Sequence, residues 1–168
     1  MLIKPHEYHK DVSFINWQKL YNQGKRVAVF DIDNTLDLPD KETIVSPKLK
    51  VYINKVETIG FEVYFMSNNH EDRVVSFTKN FSNKYSYDSN KPFQKSYKTL
   101  LKDIDNKTIV FVGDKIVTDI IGGNLFKGYT ILVDPLTKKK KYWYTKFMNS
   151  VEAAFMWMTG FKRGRYYE

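Results

Sequence analysis

Apolar and polar residues alternate along this chain in blocks that predict strands and helices in turn. Short apolar runs, rich in β-branched and aromatic residues, predict five strands at 26–31, 61–66, 85–87, 108–112 and 129–133. Apolar positions at helical spacing predict helices at 13–23, 46–60, 71–80 and 93–104, with a short helix running toward Gly122. Because strands that alternate with helices form parallel sheets, the pattern predicts an α/β fold: a single Rossmann-like domain with a five-stranded parallel sheet and helices on both faces.

The length of the chain and its loops predict one domain without a large cap. The 168 residues suffice for one core, and the loop from Leu36 to Val45 is too short to hold a separate lid domain. Residues 1–12 are interpreted as a polar, extended arm, in which His6 and His9 are better explained as solvated side chains than as a metal pair. The sequence motifs described below lie in a core at 26–135.

Composition limits where this protein works and what it binds. The absence of cysteine excludes disulfides and thiolate metal sites and fits a reducing compartment. The first residues lack the apolar core of a signal peptide, and no apolar run approaches the ~18 residues that a membrane span needs. We therefore expect a cytoplasmic protein. Its net charge of +8 permits an anionic partner, such as a nucleic acid, a phospholipid surface or a phosphorylated substrate.

Two carboxylates follow the first predicted strand directly. Asp31 and Asp33 are two residues apart, so their side chains project to the same side of the strand. Two ionised carboxylates at roughly 6 Å repel each other by about 3 kcal/mol at an effective dielectric of 20. Either a cation lies between them or one of them holds a proton. The same residues also fit an ordinary turn at the end of a strand, where Asp and Asn are common.

Polar clusters also follow later strands, and this convergence favours a functional site. The site of a parallel sheet lies beyond the carboxyl ends of its strands, so these clusters are expected to meet. They are Asp31, Asp33 and Thr35; Ser67, Asn68 and Asn69; Lys91; and Asp114, Thr118 and Asp119. Aspartate oxygens suit Mg²⁺, and Mg²⁺ with a lysine and hydroxyl donors suits a phosphoryl group. An aspartate can also act as the nucleophile and form an aspartyl-phosphate.

These motifs resemble those of the haloacid dehalogenase (HAD) superfamily, in its phosphatase branch. Asp31-Ile-Asp33-Asn-Thr35 resembles the Asp-x-Asp-x-Thr signature, Ser67 the second motif, Lys91-Pro92 the third, and Gly113-Asp114 through Thr118-Asp119 the acidic fourth. The Ser-Asn-Asn run at 67–69 and Gly122-Gly123-Asn124 are similar to the capless subfamily IIIA and, within it, to YqeG-type proteins, which are relatives of phosphatidylglycerophosphate phosphatases. The resemblance covers about residues 26–135.

The resemblance implies an HAD-like fold and the activity of a Mg²⁺-dependent phosphatase. Asp31 would be the nucleophile and a Mg²⁺ ligand. Asp33 would be the general acid and then the general base, with its backbone carbonyl on the metal. The other implied roles are phosphate binding by Ser67, Asn68 and Lys91, and support of Asp33 and of the motif loop beside the phosphate by Thr35. Asp114 would bind the metal, and Asp119 would be either a further ligand or a hydrogen-bond acceptor next to the ligands.

Several alternatives stay open at this point. Lys91 also fits a surface lysine before a proline turn, and Asp119 an acid favoured by a helix start. A phosphoacceptor signalling domain has similar residues, but its acceptor Asp would end a central strand, where this chain has Ser67. A non-catalytic binding module with the same fold is a further alternative. For an enzyme, the resemblance favours phosphatidylglycerophosphate or another bulky substrate over phosphoproteins and nucleic-acid ends.

A basic, aromatic helix is predicted at about 138–161, and its composition indicates what this protein could contact. Lysines occupy 138–141, and the apolar side chains between 143 and 161 fill an arc of about 180° on a helix, which is wider than packing against one core requires. Trp143, Trp157 and Phe161 lie at the surplus edge, as in helices at anionic lipid surfaces. The segment is either a buried final helix or a contact surface, for an anionic membrane at its inner face or for a partner protein.

Overall fold

A six-stranded parallel sheet forms the centre of the computed structural model, which describes residues 2–39, 45–137, 153, 162 and 164–168. The strands are β1 (Glu7–His9), β2 (Val27–Phe30), β3 (Glu62–Met66), β4 (Lys84–Ser86), β5 (Ile109–Gly113) and β6 (Tyr129–Val133). Their order is β1-β6-β5-β2-β3-β4, and each neighbouring pair is parallel. The carboxyl ends of β5, β2 and β3 are therefore adjacent at one edge of the sheet.

Helices connect the strands, as the alternating pattern predicts. Those described are α1 (Trp17–Asn22), α2 (Pro47–Ile59), α3 (Glu71–Thr78), α4 (Gln94–Leu100) and α5 (Ile121–Leu125), with single turns at Val12–Phe14, Asn106–Thr108 and Ile116–Ile120. α2 begins and ends as the sequence predicts. The Ser46 hydroxyl accepts a hydrogen bond from the Leu49 N–H at 3.2 Å, and Gly60 ends the helix at φ 115°, a conformation that glycine adopts without strain.

The core has two main parts, one on each face of the sheet. Side chains alternate along β2, so Ala28 and Phe30 point to one face while Val27 and Val29 point to the other. The first face is covered by α1, α2 and α3, through residues such as Leu20, Ile53, Val56 and Phe77. The second is covered by Tyr97 and Leu101 in and after α4, together with Phe126. β2 is buried on both faces, which explains its uninterrupted apolar sequence.

The N-terminal residues differ from the prediction. The arm predicted to be solvated instead supplies β1, which pairs with β6 and makes the sheet six-stranded rather than five-stranded. His9 and Glu7 are both buried, and His9 Nε2 lies 2.9 Å from Glu7 Oε2. Glu7 also accepts hydrogen bonds from Lys19 and Tyr129. Because these polar side chains have partners, the strand needs no alternating apolar pattern, so periodicity could not predict it.

The described C-terminal residues return to β1. Tyr8 and Tyr167 form an antiparallel bridge, with N–H to O distances of 2.8 and 3.0 Å, and the Tyr8 hydroxyl accepts a hydrogen bond from the Gly164 N–H. The predicted helix at 138–161 and the lysines 138–141 lie outside the described residues, except for Ala153. Within the described part of the chain, none of the helices combines the length and apolar character needed to cross a bilayer.

Candidate active site

Three carboxylates lie together where β2 and β5 end. Asp31 directly follows β2, and its N–H extends the strand pairing by donating to the Val112 carbonyl at 2.9 Å. Asp114 follows β5, and Asp119 lies on the helical turn that comes next. One carboxylate oxygen from each of these three residues lies within 4.8 Å of the other two, and all three residues are almost fully buried. Such a group of hard oxygen ligands can hold a divalent cation.

Gly113 provides the space for Asp119. A Cβ atom at position 113 would lie 2.3 Å from Asp119 Cγ, well inside contact distance. The Oδ2 atom of Asp119 also accepts a hydrogen bond from the Lys115 N–H at 3.1 Å, which fixes the carboxylate over the end of β5. The glycine before Asp114 is thus a packing requirement of the site.

Lys91 joins two of the three carboxylates. Its Nζ lies 2.6 Å from Asp31 Oδ1 and 2.6 Å from Asp119 Oδ1, and the residue is only 7% exposed. Burial acts to lower the pKa of Lys91, but Asp119 and Asp31 raise it above its usual value, so the ammonium stays charged. Burial raises the pKa of Asp31 to about 6, although Lys91 acts in the opposite direction.

Asn68 holds the backbone of Lys91. The Asn68 Oδ1 atom accepts a hydrogen bond from the Lys91 N–H at 2.7 Å, and its Nδ2 donates to the Lys91 carbonyl at 3.1 Å. This pair of bonds connects the end of β3 to the loop that carries the lysine. In this structure the amide of Asn68 therefore binds the protein backbone, whereas the family resemblance implies a contact with the phosphate.

Thr35 and Ser67 contact the two predicted catalytic carboxylates. The Thr35 hydroxyl donates to Asp31 Oδ2 at 3.3 Å, so Thr35 supports Asp31. The Ser67 hydroxyl donates to Asp33 Oδ2 at 3.3 Å and accepts a hydrogen bond from the Asn69 N–H at 3.0 Å. Both hydroxyl residues are buried.

Asp33 lies in a different environment from Asp31. Its Oδ2 also receives a hydrogen bond from Asn69 Nδ2 at 3.3 Å, and its Oδ1 lies 2.9 Å from Arg73 Nη2. The Asp33 carboxylate is absent from the group of three that could hold a metal among the described residues. The role expected for its backbone carbonyl on a metal stays a prediction.

Three residues near the site were not found from the sequence. Arg73 was not singled out, because an arginine in the first turn of a helix is common on protein surfaces. Tyr97, which donates to the Thr118 carbonyl at 3.2 Å, lines a small space together with Lys91, Asp31 and Asp119. Lys115 follows Asp114 directly; desolvation acts to lower its pKa, but the carboxylates of Asp114 and Asp31 raise it above its usual value.

Known proteins resemble this chain in sequence and in fold. A family model described as HAD-hydrolase-like matches residues 89–140, which include Lys91, Asp114 and Asp119. The chain is 30% identical over 150 residues to the probable phosphatase YqeG of Bacillus subtilis, covering 88% of this chain and 86% of the relative. The chain belongs to the haloacid dehalogenase superfamily. Within it, the match places the chain in the YqeG-type branch.

Two further comparisons extend this relationship. The chain is 24% identical over 165 residues to phosphatidylglycerophosphate phosphatase 1 of Arabidopsis thaliana, covering 92% of this chain but only 47% of that longer protein. The crystal structure of an uncharacterized protein from Listeria monocytogenes superposes with a TM-score of 0.56 at 17% identity, covering 80% of this chain and 99% of that one. The structural match supports the HAD-like fold.

The raised pKa of Asp31 predicts how stability changes with pH when metal is removed. Asp31 binds its proton more tightly in the folded protein than in the unfolded chain, so the stabilisation that protonation provides is complete below about pH 4 and is lost as pH rises through about 6. Between these values the wild type should lose on the order of 3 kcal/mol relative to Asp31→Asn, which lacks that proton. Urea unfolding in EDTA from pH 4 to 7.5 measures this difference. A constant difference between the two proteins across the range would contradict the prediction.

Proposed function

We propose that this protein is a Mg²⁺-dependent phosphomonoester hydrolase that works through an aspartyl-phosphate on Asp31. The observation that carries the proposal is the position of Asp31. It shares a buried cluster with Asp114 and Asp119, and it contacts Lys91 at 2.6 Å. A phosphoryl group transferred to Asp31 would therefore lie beside both a candidate cation site and an ammonium.

The residues present fit Mg²⁺. Three buried carboxylates supply hard oxygen ligands from three different positions of the chain, and Lys91 alone does not neutralise their charge. Asp31, Asp114 and Asp119 would hold the ion, with the Asp33 carbonyl as a further ligand. The bound ion would neutralise charge on the phosphoryl oxygens.

The proposed reaction has two steps that use Asp31 and Asp33. An oxygen of Asp31 attacks the phosphorus, the bond from phosphorus to the ester oxygen breaks, and the proton of the Asp33 carboxyl goes to that oxygen, so that an alcohol leaves. Asp33 then takes a proton from a water molecule while the water oxygen attacks the phosphorus. The bond from phosphorus to Asp31 breaks, which releases inorganic phosphate and restores both carboxyl groups.

The remaining motif residues orient the phosphoryl group. Lys91 and Ser67 would contact its oxygens, as the family resemblance implies. The contacts of Asn68 with the Lys91 backbone support an indirect role for Asn68, and the Thr35 hydroxyl supports the orientation of Asp31. Both roles differ from those assigned from the sequence.

We further propose that the chain belongs to the capless subfamily IIIA, as the resemblance implies, and that its substrate is a lipid phosphate. The plant relative is named a phosphatidylglycerophosphate phosphatase. Only residues 31–46 separate β2 from α2, so this connection is too short for a cap domain that would exclude a bulky substrate. A net charge of +8 also favours an anionic bilayer surface, with the basic segment 138–161 as the peripheral contact. Phosphoproteins and nucleic-acid ends are the alternative substrates, and a non-catalytic binding module is the alternative function.

A covalent intermediate tests the catalytic proposal. With Mg²⁺, the wild type should hydrolyse 4-nitrophenyl phosphate, and acid quenching should trap one phosphoryl group on Asp31, detectable by mass spectrometry. Asp31→Asn should lower kcat by about 10³-fold or more, because the nucleophile is removed. Asp105→Asn, at the opposite edge of the sheet, should leave kcat unchanged. Full activity in Asp31→Asn would refute the mechanism, and an inactive wild type would favour the binding module.

Binding of Mg²⁺ should stabilise the folded protein. At about 100 times its Kd, a ligand that binds only the folded state adds about 2.7 kcal/mol, which raises Tm by about 5 °C or more in a domain of this size. Asp114→Asn should lose most of this shift because it removes one of the three carboxylates. Asp105→Asn should keep it. Thermal unfolding with Mg²⁺ and with EDTA measures both, and an equal shift in Asp114→Asn would place the ion elsewhere.

Substrate class is tested by comparing esters that share the phosphate. Phosphatidylglycerophosphate in vesicles should be hydrolysed with a kcat/KM at least about 10-fold higher than soluble glycerol phosphate, because binding of the acyl part contributes to the transition state. A phosphopeptide and a 5′-phosphorylated oligonucleotide complete the panel. A preference for either of them would replace the lipid proposal with the corresponding alternative.

A further inference from the structure

Arg73 makes the closest charged contact to Asp33 in the described structure. It lies in the first turn of α3, and its side chain is only 12% exposed. Its Nε donates to Asp33 Oδ1 at 3.1 Å, and its Nη2 lies 2.9 Å from the same oxygen. The Phe77 ring, one helical turn later, lies 6.0 Å from the guanidinium carbon. Arginine in this arrangement is a fixed, permanently charged donor.

The same guanidinium also holds the loop that follows Asp33. Arg73 Nη2 donates to Asp37 Oδ2 at 3.2 Å and to the Leu38 carbonyl at 3.1 Å. Within the loop, the Asn34 N–H donates to the Asp37 carbonyl at 2.7 Å. One side chain from α3 thus connects both ends of the turn that carries Asp33, and the orientation of this carboxylate depends on it.

Arg73 and two neighbours together hold both oxygens of the Asp33 carboxyl group. Arg73 occupies Oδ1, while Oδ2 accepts hydrogen bonds from the Ser67 hydroxyl and the Asn69 amide at the carboxyl end of β3. Arg73 is the charged member of this set and also holds the loop, so it contributes most to the direction in which the carboxyl group faces.

We propose that Arg73 is a positioning residue for leaving-group protonation. It acts through Asp33 and holds that carboxyl group toward the ester oxygen, without contacting the phosphoryl group itself. In the transfer step, the bond from phosphorus to the ester oxygen breaks while the proton of the Asp33 carboxyl group moves to that oxygen, and Asp33 is left as a carboxylate paired with Arg73. The proposal rests on the proposed phosphatase function and assigns a role in it to α3.

Leaving groups of different basicity test this role. An alkyl phosphate needs a proton on its leaving oxygen far more than 4-nitrophenyl phosphate does, since nitrophenolate is stable as an anion. In Arg73→Gln, kcat/KM should fall by roughly 10- to 100-fold for an alkyl phosphate but by less than about threefold for 4-nitrophenyl phosphate, because only part of general-acid catalysis is lost. Arg73→Lys should recover part of the activity on the alkyl phosphate, since lysine keeps the positive charge but lacks the planar guanidinium with its several donors.

Two controls distinguish a positioning role of Arg73 from a purely structural role. Arg26→Gln removes an arginine that binds backbone carbonyls at the opposite edge of the sheet, and it should change neither rate. With phenyl phosphate, Arg73→Gln should cost little further in an Asp33→Asn background, because the two residues act as a unit. Circular dichroism and thermal unfolding show whether each variant folds; if Arg73→Gln does not, Arg73→Lys alone should still lose more activity on the alkyl ester than on the nitrophenyl ester.

The outcomes are distinct. Equal losses on both esters, additive losses with Asp33→Asn, or a rise in KM alone would overturn the assignment, the last by showing that Arg73 binds the substrate directly. A wild type that hydrolyses neither ester would instead refute the proposed phosphatase function.

Discussion

The ammonium of Lys91, held between Asp31 and Asp119, is the interaction on which the rest of the site depends. Removing an unpaired ion from water costs several kcal/mol, so a lysine that is 7% exposed is tolerated only with partners at close range. Both of its contacts are 2.6 Å long. The lysine therefore ties the loop after β4 to the ends of β2 and β5, and each carboxylate must be held in place for the lysine to be buried at all.

The architecture of the sheet supplies that precision. β2 lies between β5 and β3, so residues that follow these three strands emerge side by side although they are far apart in the sequence. Close packing then fixes individual side chains. Position 113 must be glycine for Asp119 to approach, and a Cβ atom on Gly122 would lie 2.0 Å from the Tyr97 hydroxyl, next to the same site. The glycines in this part of the chain thus bring helix, strand and charged groups close together.

The sequence predicted the parts of this arrangement that follow from regular geometry. Apolar runs located five of the strands, and the rule that parallel strands end at one edge brought Asp31, Ser67 and Asp114 together. The sequence could not predict which polar groups become hydrogen-bond or ion-pair partners. β1 was missed because Glu7 and His9 are buried by pairing with each other. The amide of Asn68 carries no local sign that its partner is a backbone 23 residues away.

The two motif carboxylates show why partner choice matters for function. Asp31 and Asp33 are neighbours on one strand end, yet Asp31 pairs with a lysine inside the carboxylate cluster, whereas Asp33 pairs with an arginine from α3. A nucleophile must present a free oxygen to phosphorus, whereas a proton donor must present its hydrogen to one ester oxygen. Different environments allow two identical side chains to take different roles, as in other enzymes with paired carboxylates. The β3–α3 segment, which supplies Ser67, Asn69 and Arg73, is therefore as much a part of the proposed active site as the motif that contains the two aspartates.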